Sequence, residues 1–361
     1  MLRRAIAALK RTLSPHFGLS DSRVETMALL VTGMISARTV NLSHIASTRS
    51  TGSLVASTYR RLQRFFQHVD LGPDWSAPLT AKLLDLSGSW HLVLDRTQWQ
   101  VGGRDVNFLV LAAVTPRFRI PLIWSVIDGR GCSDTEQRIL LMRRYLKLFD
   151  VSSIRLLLAD REFGGSEWIE FLAKTGIPFA IRLKGDIRVT SEAGHDLTLA
   201  AHLGSRARTR FFRGRLGAGG RGAPLLNFAL KRLEGGTLLA VVSNRPAAAA
   251  LKAYARRWGI ECMFGDAKTR GLNMEDTRLT CPRKLDLLMG LVALAIAWAA
   301  RTAIALTWPN APRRASHGYR RKSWFRTGFD QLRHLLQTDP LQAIAEWHRV
   351  NSKPLQTPGV V

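Results

Sequence analysis

Four residues in the stretch "YARRWGIECMFGDAK", positions 254–268, could do chemistry together: Tyr254, Arg257, Glu261 and Lys268. If residues 246–268 form a helix that begins after Pro246, a rotation of 100° per residue places all four within an arc of about 60°. That stripe is about 21 Å long at 1.5 Å per residue. It could lay a phenol, a guanidinium, a carboxylate and an ammonium along several phosphates. Two aspartates each end an apolar run, Asp95 in "HLVLD" and Asp160 in "IRLLLAD". If those runs are neighbouring strands, both side chains emerge side by side at strand ends, where buried backbone fixes them beside solvent. With Glu261, kept ionised among cations, they supply hard oxygen ligands for divalent metal, and Mg²⁺, with Mn²⁺ as its substitute, suits such a set. Two ions held this way would activate an attacking oxygen and stabilise the leaving one in a displacement at phosphorus.

Plainer roles exist for each residue. An aspartate after a strand is often a turn former or helix cap. A helix carrying Arg, Glu and Lys at these spacings is often a solvated face. Taken singly, each residue fits the plainer role; the joint placement points to chemistry.

Charge narrows the partner. The chain has 361 residues, with 53 Lys and Arg against 27 Asp and Glu, a formal net charge of +26. Such an excess goes beyond the needs of solubility and implies a polyanion, nucleic acid foremost, because phosphates neutralised by Lys or Arg release condensed counterions. A small packing protein of chromatin or the ribosome is the bland alternative. Against it, 46% of residues are apolar and 10 are Trp. That is enough for real cores in about two or three domains. The three cysteines, Cys132, Cys262 and Cys281, lack CxxC spacing, so neither a disulfide framework nor a zinc site is expected and a reducing cytoplasm fits. "MLRRAIAALKRTL" reads as a basic amphipathic helix rather than a signal peptide. "LLMGLVALAIAWAA", residues 287–300, is shorter than the roughly 20 residues that span a bilayer and is expected to be a buried core helix, with no membrane partner.

The elements that must position these residues follow from periodicity. "DSRVETMALLVTGMISA" and "SLVASTYRRLQRFFQHV" predict helices, the second with a basic face bearing Arg60, Arg61 and Arg64. From His91 the order is three strand-length runs, a helix over "SDTEQRILLMRRYLKLF", a strand, a helix over "GSEWIEFLAKTG" and the strand "FAIRLK". That is an α/β layered domain in which helices cover a mixed sheet. Residues 185–245 break the pattern and read as an inserted, mostly β segment; its glycine tract "GRLGAGGRGAP" lacks the ending of a phosphate-binding loop and suits a hairpin tip. Trp258 lies beside the stripe, and a tryptophan on a helix is more often core than a base-stacking platform.

The residues also carry a resemblance. Tyr254, Arg257, Glu261 and Lys268 match the Y-x2-R-x3-E-x6-K motif of the bacterial insertion-sequence transposases called family four, a cut-and-paste group with a DDE triad. "YRRLQRFF", "LDRTQW", "LLADREF", "GIPFAIRLK", "RGLNMEDTRLT" and "SHGYRRKSWFRTGFDQL" also look like that family's blocks, in its order. The resemblance implies a ribonuclease H-like core in two parts, residues 89–184 and 246–310, interrupted by the β insert at 185–245. A helical DNA-binding region at 1–88 would precede it and a C-terminal helical region at 311–361 follow it. Asp95, Asp160 and Glu261 would be metal ligands. Tyr254, Arg257 and Lys268 would contact DNA near the scissile phosphate, and Arg60, Arg61 and Arg64 a phosphate backbone. The implied reaction is metal-dependent hydrolysis at a transposon end, then attack of the freed 3′-hydroxyl on target DNA, by a homodimer bound to double-stranded DNA near the bacterial nucleoid. Some members stack a flipped base on a tryptophan of the insert. Between Asp186 and Arg245 this chain offers only Phe211, Phe212 and Phe228, so the choice between a hairpin and another excision route stays open. A nuclease of the same fold and a noncatalytic DNA-binding descendant are the rival readings.

Overall fold

The computed structural model describes residues 2–49, 54–101, 104–127, 133–220, 222–307 and 322–348. Among them a ten-stranded sheet is wrapped by helices. Five helices come first: α1 (Leu2–Leu13), α2 (Asp21–Ala37), α3 (Leu42–Ser47), α4 (Val55–His68) and α5 (Ala77–Leu83). The meander follows as β1 (Trp90–Val101), β2 (Arg104–Val114) and β3 (Arg119–Ile127), then α6 (Thr135–Leu148), β4 (Ile154–Ala159), α7 (Ser166–Lys174) and β5 (Phe179–Leu183). The insert contributes β6 (Arg188–Ser191), β7 (Asp196–Thr198), α8 (Leu199–Leu203), β8 (Thr209–Leu216), β9 (Leu226–Arg232) and β10 (Leu238–Ser243). Then come α9 (Ala247–Tyr254), α10 (Trp258–Ala267), α11 (Pro282–Thr307), α12 (Trp324–Thr338) and α13 (Pro340–His348). Met1, Ser53, Cys132, Arg221 and residues 316–321 of the stretches above, and 311–315 and 349–361 of the expected C-terminal region, lie outside the described residues.

The expected order of strands and helices from His91 to Lys184 holds. The sheet runs β3-β2-β1-β4-β5-β10-β9-β8-β6-β7. β1 pairs antiparallel with β2 and parallel with β4, and β4 pairs parallel with β5. β4 and β5 are apolar almost throughout because both faces are covered, as parallel strands require. The insert is not set apart from this core. β10 pairs antiparallel with β5, so hydrogen bonding continues unbroken into the insert. The glycine tract does connect β8 to β9, and Gly217, Gly219, Gly220 and Gly222 adopt positive φ there, which only glycine takes without strain.

The apolar stretch at 287–300 is part of a longer helix than its run suggests. α11 has 26 residues, long and apolar enough to cross a membrane by length and composition, yet its most apolar window is wholly buried inside the fold. A helix apolar all round needs neighbours on every side. α2, α5, α12, α13 and β3 supply them, so this is the core helix the sequence predicted.

Candidate active site

β1 and β4 bring the two aspartates together. Their parallel ladder ends at the pair Leu94 and Ala159, so Asp95 and Asp160 are the next residue on each strand's path. One expectation needs correcting: Asp95 does not end its strand. β1 continues to Val101 because β2 stays paired beside it, Asp95 opposite Val110. What ends at Asp95 is the contact with β4, and the side chain gains its opening from the neighbour's departure. Asp160 does leave its strand. It caps a 3-10 turn over Arg161–Phe163, accepting a hydrogen bond from the Arg161 backbone N–H at 2.8 Å, so the capping role and a site role coexist.

The third acid arrives on a helical rod that is not one helix. α9 and α10 are joined by a 3-10 turn over Ala255–Arg257, whose tighter winding departs from the 100° step assumed for residues 246–268. α10 sits low on the sheet because residue 259 is glycine: a Cβ there would lie 2.7 Å from Val114 Cγ1. Glu261 follows within the same turn.

Tyr254, Arg257 and Glu261 join Asp95 and Asp160. Arg257 Nη1 donates to Asp95 Oδ2 at 3.2 Å, and its Nη2 donates to Glu261 Oε1. Tyr254 Oη donates to Asp160 Oδ1 at 3.3 Å. Lys268 is not on this stripe. α10 ends at Ala267, and Lys268 donates through Nζ to the Gln98 carbonyl at 3.0 Å and pairs with Glu275 at 3.5 Å. It fastens the end of this helical rod to β1 instead.

Sequence reasoning missed two further members. Arg182 on β5 stands 3.7 Å from Asp160 Oδ1. Arg96 donates to Glu162 at 3.0 Å, tying together the residues that follow the two aspartates. For Arg96 and Glu162 the signal was the repeated pairing of acid and base in "LDRTQW" and "LLADREF"; Arg182, inside the apolar strand "FAIRLK", carried none.

Three carboxylates therefore face two guanidinium groups in a half-buried space. Burial, aided by the negative charges of Asp160 and Glu261, raises the Asp95 carboxyl to about 6, although the Arg96 N–H and Arg257 pull the other way. Burial and the charge of Asp160 push the Tyr254 phenol up. Burial opposes the charge on Arg257, but Tyr254, Asp160, Asp95 and Glu261 outweigh it and hold the guanidinium above its ordinary value. Such shifts concentrate where like charges have been forced together for a purpose. As they stand, no three His, Cys, Asp or Glu side chains among the described residues are grouped closely enough to hold a metal ion. The guanidinium of Arg257 bridges Asp95 and Glu261. The all-oxygen donor set fits a hard divalent ion, with Asp95, Asp160 and Glu261 as the residues that would hold it.

The proposed N-terminal contacts fare unequally. Arg60 and Arg64 are exposed on α4. Arg61 is not available to a phosphate: its guanidinium donates to Thr26 at 2.7 Å, Glu25 at 3.1 Å and the Ser22 carbonyl at 2.8 Å. Trp258 overturns the expectation of a core residue, being 63% exposed beside Arg257. Of the insert's three phenylalanines only Phe211 is exposed; Phe228 is buried and Phe212 stacks between it and His202.

A comparison with curated proteins finds no match. Residues 86–298, more than half of the chain and the whole span from before Asp95 to beyond Glu261, match the transposase DDE domain, and the chain belongs to that family.

Proposed function

We propose that this DDE transposase is of the insertion-sequence group called family four, and that it cuts transposon ends and joins the freed 3′-hydroxyl to target DNA. The observation that carries the reading is the convergence of Asp95, Asp160 and Glu261 from three separate elements, with Arg257 across two of them. The β-β-β-α-β-α-β order, interrupted before the glutamate's helix, supports a ribonuclease H-like core. Bound Mg²⁺, two ions with Mn²⁺ as substitute, would supply activation of the attacking oxygen and charge stabilisation at the leaving one. The protein's own residues do the positioning. Asp95, Asp160 and Glu261 hold that charge, Arg257 can grip a phosphate with two hydrogen bonds once released from the carboxylates, and Tyr254 orients Asp160. Helices α1 to α5 supply a DNA-holding region, and two protomers each hold one end, in the bacterial cytoplasm.

The test is strand cleavage by Asp95→Asn, Asp160→Asn and Glu261→Gln on DNA carrying the inverted repeats that flank the reading frame. All three should bind the end and none should cut it with Mg²⁺ or Mn²⁺. Substantial cutting by any one removes that residue from the triad; end binding by a wild-type protein that never cuts would make it a noncatalytic descendant.

A further inference from the structure

We infer that a cleft between the N-terminal helices and the chain just beyond the catalytic rod seats the backbone of duplex DNA, with Arg64, Arg278 and Lys284 as its phosphate contacts. The inference deepens the DNA-processing reading above and rests on it.

The cleft has a volume of about 470 Å³ and is lined by Tyr59, Gln63 and Arg64 from α4 on one side and by Arg278 and Lys284 on the other. Among the described residues no carboxylate lines it. Among the described residues, none of these three cations has a hydrogen-bond or ion-pair partner. Their neighbours show how unusual that is. On α4, Arg61 is spent on Glu25, Thr26 and Ser22. At the start of α11, Arg283 caps the end of α4, donating to the Val69 carbonyl at 2.8 Å and the Phe66 carbonyl at 2.9 Å. On each wall one basic residue fastens the fold and the next is left facing the cleft.

The walls are fixed before any ligand arrives. Arg283 holds one end. At the other, Asp276 accepts from Thr39 at 2.6 Å and from Asn41 at 3.2 Å, pinning the start of α3 to the 3-10 turn over Met274–Asp276. Three uncompensated cations held in a concave space repel one another and focus a positive potential outward. A neutral partner would bury those charges unpaired, at a cost; phosphates neutralise them and release counterions. The side-chain amide of Gln63 and the Tyr59 hydroxyl add uncharged donors suited to phosphate and sugar oxygens.

The same small turn sets the distance to the chemistry. Glu275 pairs with Lys268, which in turn holds the Gln98 carbonyl of β1, three residues beyond Asp95. Asp276, the next residue, holds α3. DNA seated in the cleft is thereby registered against the strand that carries Asp95.

The experiment measures affinity of the full-length chain for a labelled duplex of arbitrary sequence as salt is varied, for wild type and for Arg278→Gln/Lys284→Gln. Each phosphate contact contributes about 0.9 to the slope of log K against log salt, so the double variant should lose roughly two units of slope and bind at least about tenfold more weakly at moderate salt. Because neither residue has a partner among the described residues, its melting temperature should match wild type. Removing two exposed charges at the far end of the sheet, Arg206→Gln/Lys231→Gln, should leave the slope unchanged. An unaltered slope in the cleft variant, or an equal loss in the control, overturns the assignment. So does a thermal shift by inorganic phosphate that only the cleft variant loses while duplex affinity stays, which would mark a free-phosphate site. Wild-type Mn²⁺-dependent cutting separates the two readings: cutting with an unaltered slope sinks the cleft alone, whereas a wild type that binds no duplex sinks both.

Discussion

Arg257 stands 3.2 Å from Asp95, a residue 162 positions earlier in the chain, while its other guanidinium nitrogen holds Glu261. One planar fork thus neutralises two acids that would otherwise repel each other inside the fold. Removing it leaves two half-buried carboxylates unpaired, which costs on the order of 1–2 kcal/mol once solvent screening is allowed for. Arg257→Ala should therefore melt lower than wild type in chelator, and Mn²⁺ should recover much of the deficit because a divalent cation replaces the missing charge. Differential scanning calorimetry with and without Mn²⁺ decides it. A deficit that ignores metal would mean the three carboxylates do not share an ion. Lysine cannot span both acids, so Arg257→Lys should impair cutting more than Lys268→Arg, whose partners accept a point charge.

Adjacent arginines on α4 should behave oppositely. Arg61 donates to Ser22, Glu25 and Thr26 on α2, and Arg61→Ala should destabilise the fold by about 1–2 kcal/mol by removing these bonds, although Glu25 keeps Arg49 and the Ser22 carbonyl keeps the Thr26 hydroxyl. Arg60 is exposed, so Arg60→Ala should stay within about 0.5 kcal/mol of wild type in urea unfolding. Equal stability for both variants would contradict the side-chain network.

What could be read in the sequence were features that repeat or alternate. The apolar runs ending in Asp95 and Asp160 declared themselves as strands, and the spacing from Tyr254 to Glu261 brought the third acid to the same place. Three things were hidden because they depend on distant neighbours. β1 outlasts its apolar run because β2 pairs with it through Trp99 and Val106, so Asp95 sits mid-strand. Lys268 leaves the helix because the Gln98 carbonyl and Glu275 claim it. Arg61 and Arg64 look alike in "YRRLQRFF", and only the packing of α4 on α2 makes one structural and leaves the other facing a cleft.

Trp258 projects into solvent one residue after Arg257. Its exposure means that Trp258→Ala should change unfolding free energy by no more than about 0.5 kcal/mol. Should the ring stack on a base near the cut, the same variant loses about 1–3 kcal/mol of DNA affinity. The expected result is weakened binding in a gel shift with an unchanged melting curve. Unchanged binding would leave the indole without a nucleic-acid role.

Asp266, on α10 beyond Glu261, gives a pH signature. Burial raises its carboxyl to about 7 despite the nearby charges of Arg119 and Arg270. Its folded-state value lies above its unfolded value, so the folded protein retains a proton that the unfolded chain releases. Stability is whole below about 4, falls as pH rises toward 7 and is lowest above that, by an amount on the order of a few kcal/mol. Asp266→Asn keeps the shape and cannot ionise. Its melting temperature should equal wild type near pH 4 and exceed it increasingly up to pH 8. A difference independent of pH would show that Asp266 is not buried with a proton.

Gly259 tests whether the height of α10 above the sheet matters to the chemistry. A methyl group there would meet Val114 Cγ1 at 2.7 Å and Arg119 Nε at 3.1 Å, contacts that real side chains do not tolerate without movement. The backbone φ of Gly259 is helical, so Gly259→Ala adds no backbone strain and gains helix propensity of about 1 kcal/mol, offsetting part of an overpacking cost of about 1–3 kcal/mol. Net stability should change little. Function should change more, because lifting α10 carries Glu261, two residues on, away from Asp95 and Asp160, and a misplacement of about 1 Å can cost roughly 100-fold in rate. Paired melting and cleavage measurements on Gly259→Ala should therefore show a small thermal shift beside a large loss of cutting. Wild-type cutting by this variant would mean that Glu261 acts from a position more tolerant than the close seat of α10 implies, and its place in the triad would need another explanation.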